Sequence, residues 1–132
     1  MTPTSVPAAD IVALSKEKGY LAAQYYVVFT TPTNGMGPVM ANIEAHLAFQ
    51  SSLEAEGIMF AAGPHWTDDE ASWMGDGMVV IRAASLSEAR SIAEKDPMHA
   101  SGARKFTVRP WLVNEGTITI KLNYAQGNFV VR

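Results

Sequence analysis

Apolar and polar positions alternate along this chain with a period that changes from block to block, and each change marks an element. After seven residues with two prolines, residues 8–18 read as a short helix. Ile11, Val12 and Leu14 are its apolar side, Lys16, Glu17 and Lys18 are solvated, and Gly19 stops it. Residues 24–31 contain the run Tyr-Tyr-Val-Val-Phe-Thr, whose aromatic and β-branched side chains suit a pleated surface, so a strand is expected. In residues 39–56, Val39, Met40, Ile43, Leu47 and Leu53 fall on one side at helical spacing, with Gly57 after them. This predicts one continuous helix. A strand at 58–63 turns at Gly63-Pro64 into a polar loop from His65 to Asp76 that carries two tryptophans, and a strand at 77–82 follows.

The next block repeats the scheme. Ser85-Leu-Ser-Glu88 has the spacing of a capping box and opens a helix to Glu94, with Leu86, Ala89, Ile92 and Ala93 as its buried set. Asp96-Pro97 ends that helix, because the proline ring disfavours helical geometry in the residue before it. Residues 106–113 alternate as a strand, and 117–122 with 128–131 read as a terminal hairpin. From Tyr25 to Val113 the order is β-α-β-β-α-β. Two such split units give a four-stranded antiparallel sheet with both helices on one face, a ferredoxin-like α+β fold. The other face needs a cover, so a homodimer is expected. The 132 residues read as one domain, with a core at about 24–113, an N-terminal extension at 1–23 and a C-terminal hairpin at 114–132.

Composition narrows the chemistry. With 48% hydrophobic and 17% charged residues, the chain can bury a single core and is too apolar to be disordered. A net charge of −3 offers no basic footprint for nucleic acid. No apolar run approaches the length of a bilayer span and no basic leader is visible, so a cytoplasmic protein is expected. The chain has no Cys, which removes thiol nucleophiles and disulfides. The loop from Thr31 to Pro38 has Gly35 and Gly37 but lacks the Lys-Ser/Thr of a phosphate loop, and no cofactor is expected. Any chemistry is left to His, carboxylate, Arg and aromatic side chains.

His46 falls in the apolar arc between Ile43, Leu47 and Leu53, where an imidazole must find a hydrogen-bond partner. It is either a structural histidine bonded to a backbone carbonyl or a group at a site. Asp96 precedes a proline at a helix end, where an Asp commonly caps a turn. The helix dipole is negative there, so a carboxylate at that end also fits a functional role. His65 and His99 lack the spacing of metal ligands, and no metal site is expected. Tyr26, His65, Trp66 and Arg109 are the expected substrate contacts. Arg109 is suited to pair with a substrate carboxylate or with Glu115. Trp66, Trp73 and Trp111 either line a pocket or pack the core, and Asp68-Asp69-Glu70 is a solvated loop face.

Several of these residues form an ordered series. It runs from His46-Leu47 through Glu56-Gly57-Ile58, Ala62-Gly63-Pro64, Val79-Val80-Ile81, Glu88-Ala89 and Lys95-Asp96-Pro97 to Phe106-Thr-Val-Arg-Pro-Trp111. The series resembles the YciI-like (YCII-related) family of small α+β proteins over about two-thirds of the chain. The resemblance implies a dimeric ferredoxin-like fold related to the dimeric α+β barrels that include muconolactone isomerases. It also implies a His–Asp pair in a pocket, at His46 and Asp96. Family members with an activity are similar to dehydrochlorinases and to dehalogenating lactone or hydroquinone enzymes of aromatic breakdown. A cofactor-independent lyase or isomerase is therefore expected, moving protons on a small cyclic or aromatic anionic substrate. The alternatives are a non-catalytic small-ligand-binding dimer and an interaction module assembled through the terminal hairpin.

Overall fold

Strand alternation sorts the side chains onto two faces, and two of the helices pack on one of them. The computed structural model describes residues 2–131. In chain order the elements are α1 (Ala8–Glu17), β1 (Ala23–Pro32), α2 (Met36–Ala41), α3 (Ile43–Ala55), β2 (Met59–Pro64) and β3 (Gly77–Ile81). They continue with α4 (Leu86–Glu94), α5 (Pro97–Ala100), β4 (Arg104–Val113), β5 (Ile120–Asn123) and β6 (Asn128–Val131). Residues 24–112 form one compact unit, and the segments on either side of them form another.

The larger unit is a four-stranded antiparallel sheet in the order β2-β3-β1-β4, the ferredoxin-like arrangement. β1 and β3 are antiparallel, with Tyr26 opposite Ile81, Val28 opposite Val79 and Thr30 opposite Gly77. β2 runs antiparallel to β3 on its other side, with a register shift between Met59 and Ala61. Tyr26, Val28, Val79, Ile81 and Val108 share one sheet face and meet Leu53 of α3 and Ala89 and Ala93 of α4, which places these helices on that face. Val39, Met98 and Ala103 form a smaller cluster with Met36, Ile43 and Trp73 packed against it.

Residues 39–56 are not one helix but two, α2 and α3, broken at Asn42 (φ −109°, ψ 3°). The Asn42 side-chain amide donates to the Pro38 carbonyl at 2.8 Å, a local bond that competes with continuous helix. The predicted apolar stripe is broken with it. Val39 and Leu53 are buried, while Met40 and Leu47 stay 55% and 53% exposed. The cap of α4 is as expected on one side: the Ser85 hydroxyl accepts from Glu88 N–H at 3.1 Å.

The smaller unit has its own hydrogen bonds. In α1 the Ser15 hydroxyl donates to the Ile11 carbonyl at 2.8 Å and accepts from the Asn114 amide at 3.0 Å. The hairpin pairs Ile120 with Val131 and Asn123 with Asn128, and it is shorter at its first strand than the alternation predicts. Among the described residues no helix is long and apolar enough to cross a membrane.

Replacing Ser85 by Ala removes the only side-chain acceptor at the start of α4 among the described residues. A loss of about 1 kcal/mol is expected in equilibrium urea denaturation.

Candidate active site

The site grows from the junction between α4 and α5. Proline at the first position of α5 has its φ set for a helix and needs no donor there, while Asp96 before it is held extended (φ −59°, ψ 127°). Asp96 therefore caps the start of α5, accepting from Met98 N–H at 2.9 Å, as an Asp before a proline commonly does. Its two carboxylate oxygens also lie 2.9 and 2.8 Å from Nδ1 of His46 on α3, which packs against α5. Both side chains are buried, at 7% and 6% exposure.

That geometry assigns the ring's proton. An ionised carboxylate only accepts, so His46 Nδ1 carries a hydrogen and donates it. The other ring nitrogen, Nε2, lies 2.8 Å from the side-chain nitrogen of Gln50, one turn further along α3. In the neutral ring this nitrogen holds a lone pair and accepts the amide hydrogen. The partner of His46 is thus a carboxylate from another element, in place of the backbone carbonyl of the structural reading.

His99 is a different kind of histidine. Its Nδ1 donates to the Ala93 carbonyl at 2.6 Å, its Nε2 accepts from the Thr30 hydroxyl at 2.8 Å, and its ring lies against Phe106. Burial pushes its proton affinity below the usual imidazole range. The Ala93 carbonyl and Asp96 oppose the shift, and Arg104 and His46 add to it.

Arg104 on β4 is 6% exposed, and its Nε–H donates to the Gly75 carbonyl at 2.8 Å. Gly75 has φ +88°, and a Cβ there would lie 2.6 Å from Pro32 Cγ, so the turn that aims this carbonyl at Arg104 requires glycine. The guanidinium carbon lies 5.9 Å from the Trp73 ring centroid. Burial lowers the pKa of Arg104, and Asp96 and Asp76 oppose that shift. Arg104 remains charged at neutral pH.

His46, Gln50 and Arg104 line one cavity of about 370 Å³ with Leu47, Trp66, Trp73, Asp76 and Met78. The size suits a small molecule. Asp96 is not among the lining residues, so it stands behind His46.

The other sequence candidates are dispersed. Trp66 lines the cavity, and His65 does not; His65 Nδ1 lies 3.7 Å from an Asp76 oxygen with both side chains partly exposed. Tyr26 is a core residue packed among Val28, Leu53 and Ile81, because even-numbered positions of β1 face the helices. Arg109 is on the opposite sheet face, beside a second cavity of about 380 Å³ with Val27, Phe29, Pro110 and Trp111. The period of two along β4 separates it from Arg104, Phe106 and Val108. Among the described residues no group of three or more His, Asp or Glu is placed to hold a metal ion. Trp73, read from the sequence as lining a pocket or packing the core, lines the cavity, and Gln50 and Arg104 are among the lining residues that the sequence did not single out. Arg104 shares the parity of Phe106 and Val108, and carrying the strand two residues back reveals it.

A ferredoxin-like α+β domain with a buried histidine–carboxylate pair beside a cavity is the class these features define. The model of the YCII-related domain matches residues 24–112, and the chain belongs to that family. The uncharacterised protein YjpA of Bacillus subtilis is 34% identical over 70 residues, which are 53% of this chain and 75% of YjpA. Among solved structures, the chain is similar to the 5-chloro-2-hydroxyhydroquinone dehydrochlorinase TftG of Burkholderia phenoliruptrix in complex with 2,5-dihydroxybenzoquinone. That match has a TM-score of 0.51 and 25% identity, and it covers 66% of this chain and 92% of the other.

The lowered proton affinity of His99 sets a pH dependence. Unfolded, the ring titrates near the ordinary value of about 6.5; folded, it takes up its proton only at lower pH. The unfolded state binds more protons in between, so the stability from His99 is complete above about pH 6.5 and is lost as pH falls through the folded value. Denaturation at pH 7.5 and pH 5 should show a smaller loss on acidification for His99→Gln than for the wild type.

Proposed function

We propose that the protein is a cofactor-independent lyase or isomerase in which His46 is the base. The observation that supports this reading best is the order Asp96–His46–cavity: Asp96 holds Nδ1–H and stands behind the ring, and His46 faces the cavity. Asp96 then acts as a positioning residue that stabilises the imidazolium formed when Nε2 takes a proton. Arg104, whose Nε is fixed by Gly75, supplies the positive charge for an anionic group, in place of Arg109. Trp66 and Trp73 offer flat apolar walls to a ring.

The likeness to TftG supports a chlorinated hydroxylated ring as substrate. A ring hydroxyl gives its proton to His46 Nε2, and its electron pair forms a carbonyl. The displaced ring electrons take the proton back from the imidazolium at the chlorine-bearing carbon. A second hydroxyl then yields its proton to His46, its electrons form the second carbonyl, and chloride leaves with the C–Cl bonding pair. The net loss is HCl. An isomerisation uses the same base on a carbon acid beside a carbonyl. A homodimer formed through the sheet face that carries Phe29, Arg109 and Trp111 belongs to this reading.

Chloride release from 5-chloro-2-hydroxyhydroquinone, beside a panel of enol-lactones for isomerisation, tests the proposal. His46→Ala is expected to lower kcat by at least about 100-fold, and Asp96→Asn to lower it by a comparable factor without raising KM. Arg104→Gln is expected to raise KM by about tenfold, or about 1.4 kcal/mol of lost binding. Binding of these compounds without turnover by the wild type overturns the enzyme reading and supports a ligand-binding dimer. Undiminished turnover in His46→Ala overturns the role of the histidine.

A further inference from the structure

Gln50 carries a demand that the rest of the site leaves unmet. Its side-chain nitrogen is 2.8 Å from His46 Nε2, and its Oε1 is sealed from solvent with no hydrogen-bond partner among the described residues. A buried oxygen without a partner is destabilising, and native structures rarely keep one without cause.

The two ends of a glutamine amide are nearly equal in size and opposite in hydrogen-bonding sense. With the NH2 end toward His46, the ring is neutral and Nε2 accepts. Turned by half a rotation about its last bond, the side chain presents Oε1, which accepts Nε2–H from an imidazolium. Asp96 keeps its bond to Nδ1–H in both cases. Each orientation satisfies one end of the amide and leaves the other unpaired, so neither is favoured by the count of bonds.

On the reading of His46 as the base, we propose that Gln50 is a positioning residue that follows the charge of His46, exchanging donor for acceptor as the ring gains and loses a proton. A base that must return its proton needs both of its states held. A fixed N–H at this point opposes protonation, and a fixed carboxylate opposes release. The amide is also the group that a substrate hydroxyl displaces from Nε2, which favours ligands bearing an O–H that reaches in from the cavity. The other charged and titratable groups near the ring are Asp96, His99 from α5, Arg104 from β4 and Asp76 on the cavity wall. Among the described residues none of these four hydrogen-bonds Nε2.

The test is an NMR titration of the ligand-free protein with labelled histidine rings and glutamine amides. In the wild type, the Gln50 NH2 resonances shift with the same midpoint as the His46 ring. In Gln50→Met the His46 midpoint falls by about one unit, tenfold in proton affinity, because the bond to the imidazolium is the stronger of the two that are lost. A midpoint that rises identifies a fixed donor, and one that does not move shows no coupling; either overturns the proposal. If Gln50→Met does not fold, the wild-type amide decides alone, and resonances that ignore the His46 titration overturn it. Because no substrate is present, failure here leaves the role of His46 standing, and failure of the turnover assay leaves this coupling standing.

Discussion

A carboxylate removed from water has to fill its lone pairs with good donors, or its burial costs more than its partners return. Asp96 meets that demand from two directions: Met98 N–H from its own short helix, and Nδ1–H of His46 from α3. Proline at position 97 makes the first donor available by starting a helix where α4 has just ended. The second donor ties that junction to α3. Much of the site follows from these bonds, because a ring held at Nδ1 turns its other nitrogen toward Gln50 and the cavity.

The same constraint explains why this pair is poor evidence of stability and better evidence of chemistry. A buried ion pair or hydrogen-bonded pair is often replaceable by apolar side chains of equal volume with little loss, whereas removing one partner strands the other. A fold that needed only packing here has apolar neighbours at hand in Ile43, Val39 and Met98. Keeping His46, Asp96, Gln50 and Arg104 together in a small volume creates a hydrogen-bonded and electrostatic demand with several parts. Arg104 offsets part of the charge of Asp96, and Asp76 on the cavity wall limits the excess of positive potential. His99 lies next to this group but spends both ring nitrogens on Ala93 and Thr30, and burial disfavours its charge. Two histidines within one cluster thus differ because of what faces their nitrogens.

Local pattern was enough for the strands, for α4 and its serine cap, and for the ferredoxin-like order, since each rests on alternation or on a cap of fixed spacing. It was not enough at Asn42, where one side-chain bond to Pro38 outcompetes a helical stripe that looks continuous on a wheel. Within the site, His46 stood out because an imidazole on an apolar arc requires a partner, but which partner is a matter of tertiary contact. For Asp96 the capping role was legible from the proline after it, but the bond to His46 is a tertiary contact. Arg109 has the chemistry to pair with a substrate carboxylate, yet the parity of β4 points it away from the cavity and points Arg104 toward it. Gln50 carries no motif. Its meaning comes from lying one turn beyond a histidine whose other nitrogen is already engaged.

Asp96 fixes the His46 ring with its hydrogen on Nδ1, which leaves on Nε2 the lone pair that accepts from Gln50. The direct measurement is the nitrogen chemical shift of both His46 ring atoms in the neutral, ligand-free protein. A protonated, pyrrole-type Nδ1 and an unprotonated, pyridine-type Nε2 are expected. A protonated Nε2 with a bare Nδ1 facing Asp96 would contradict this assignment.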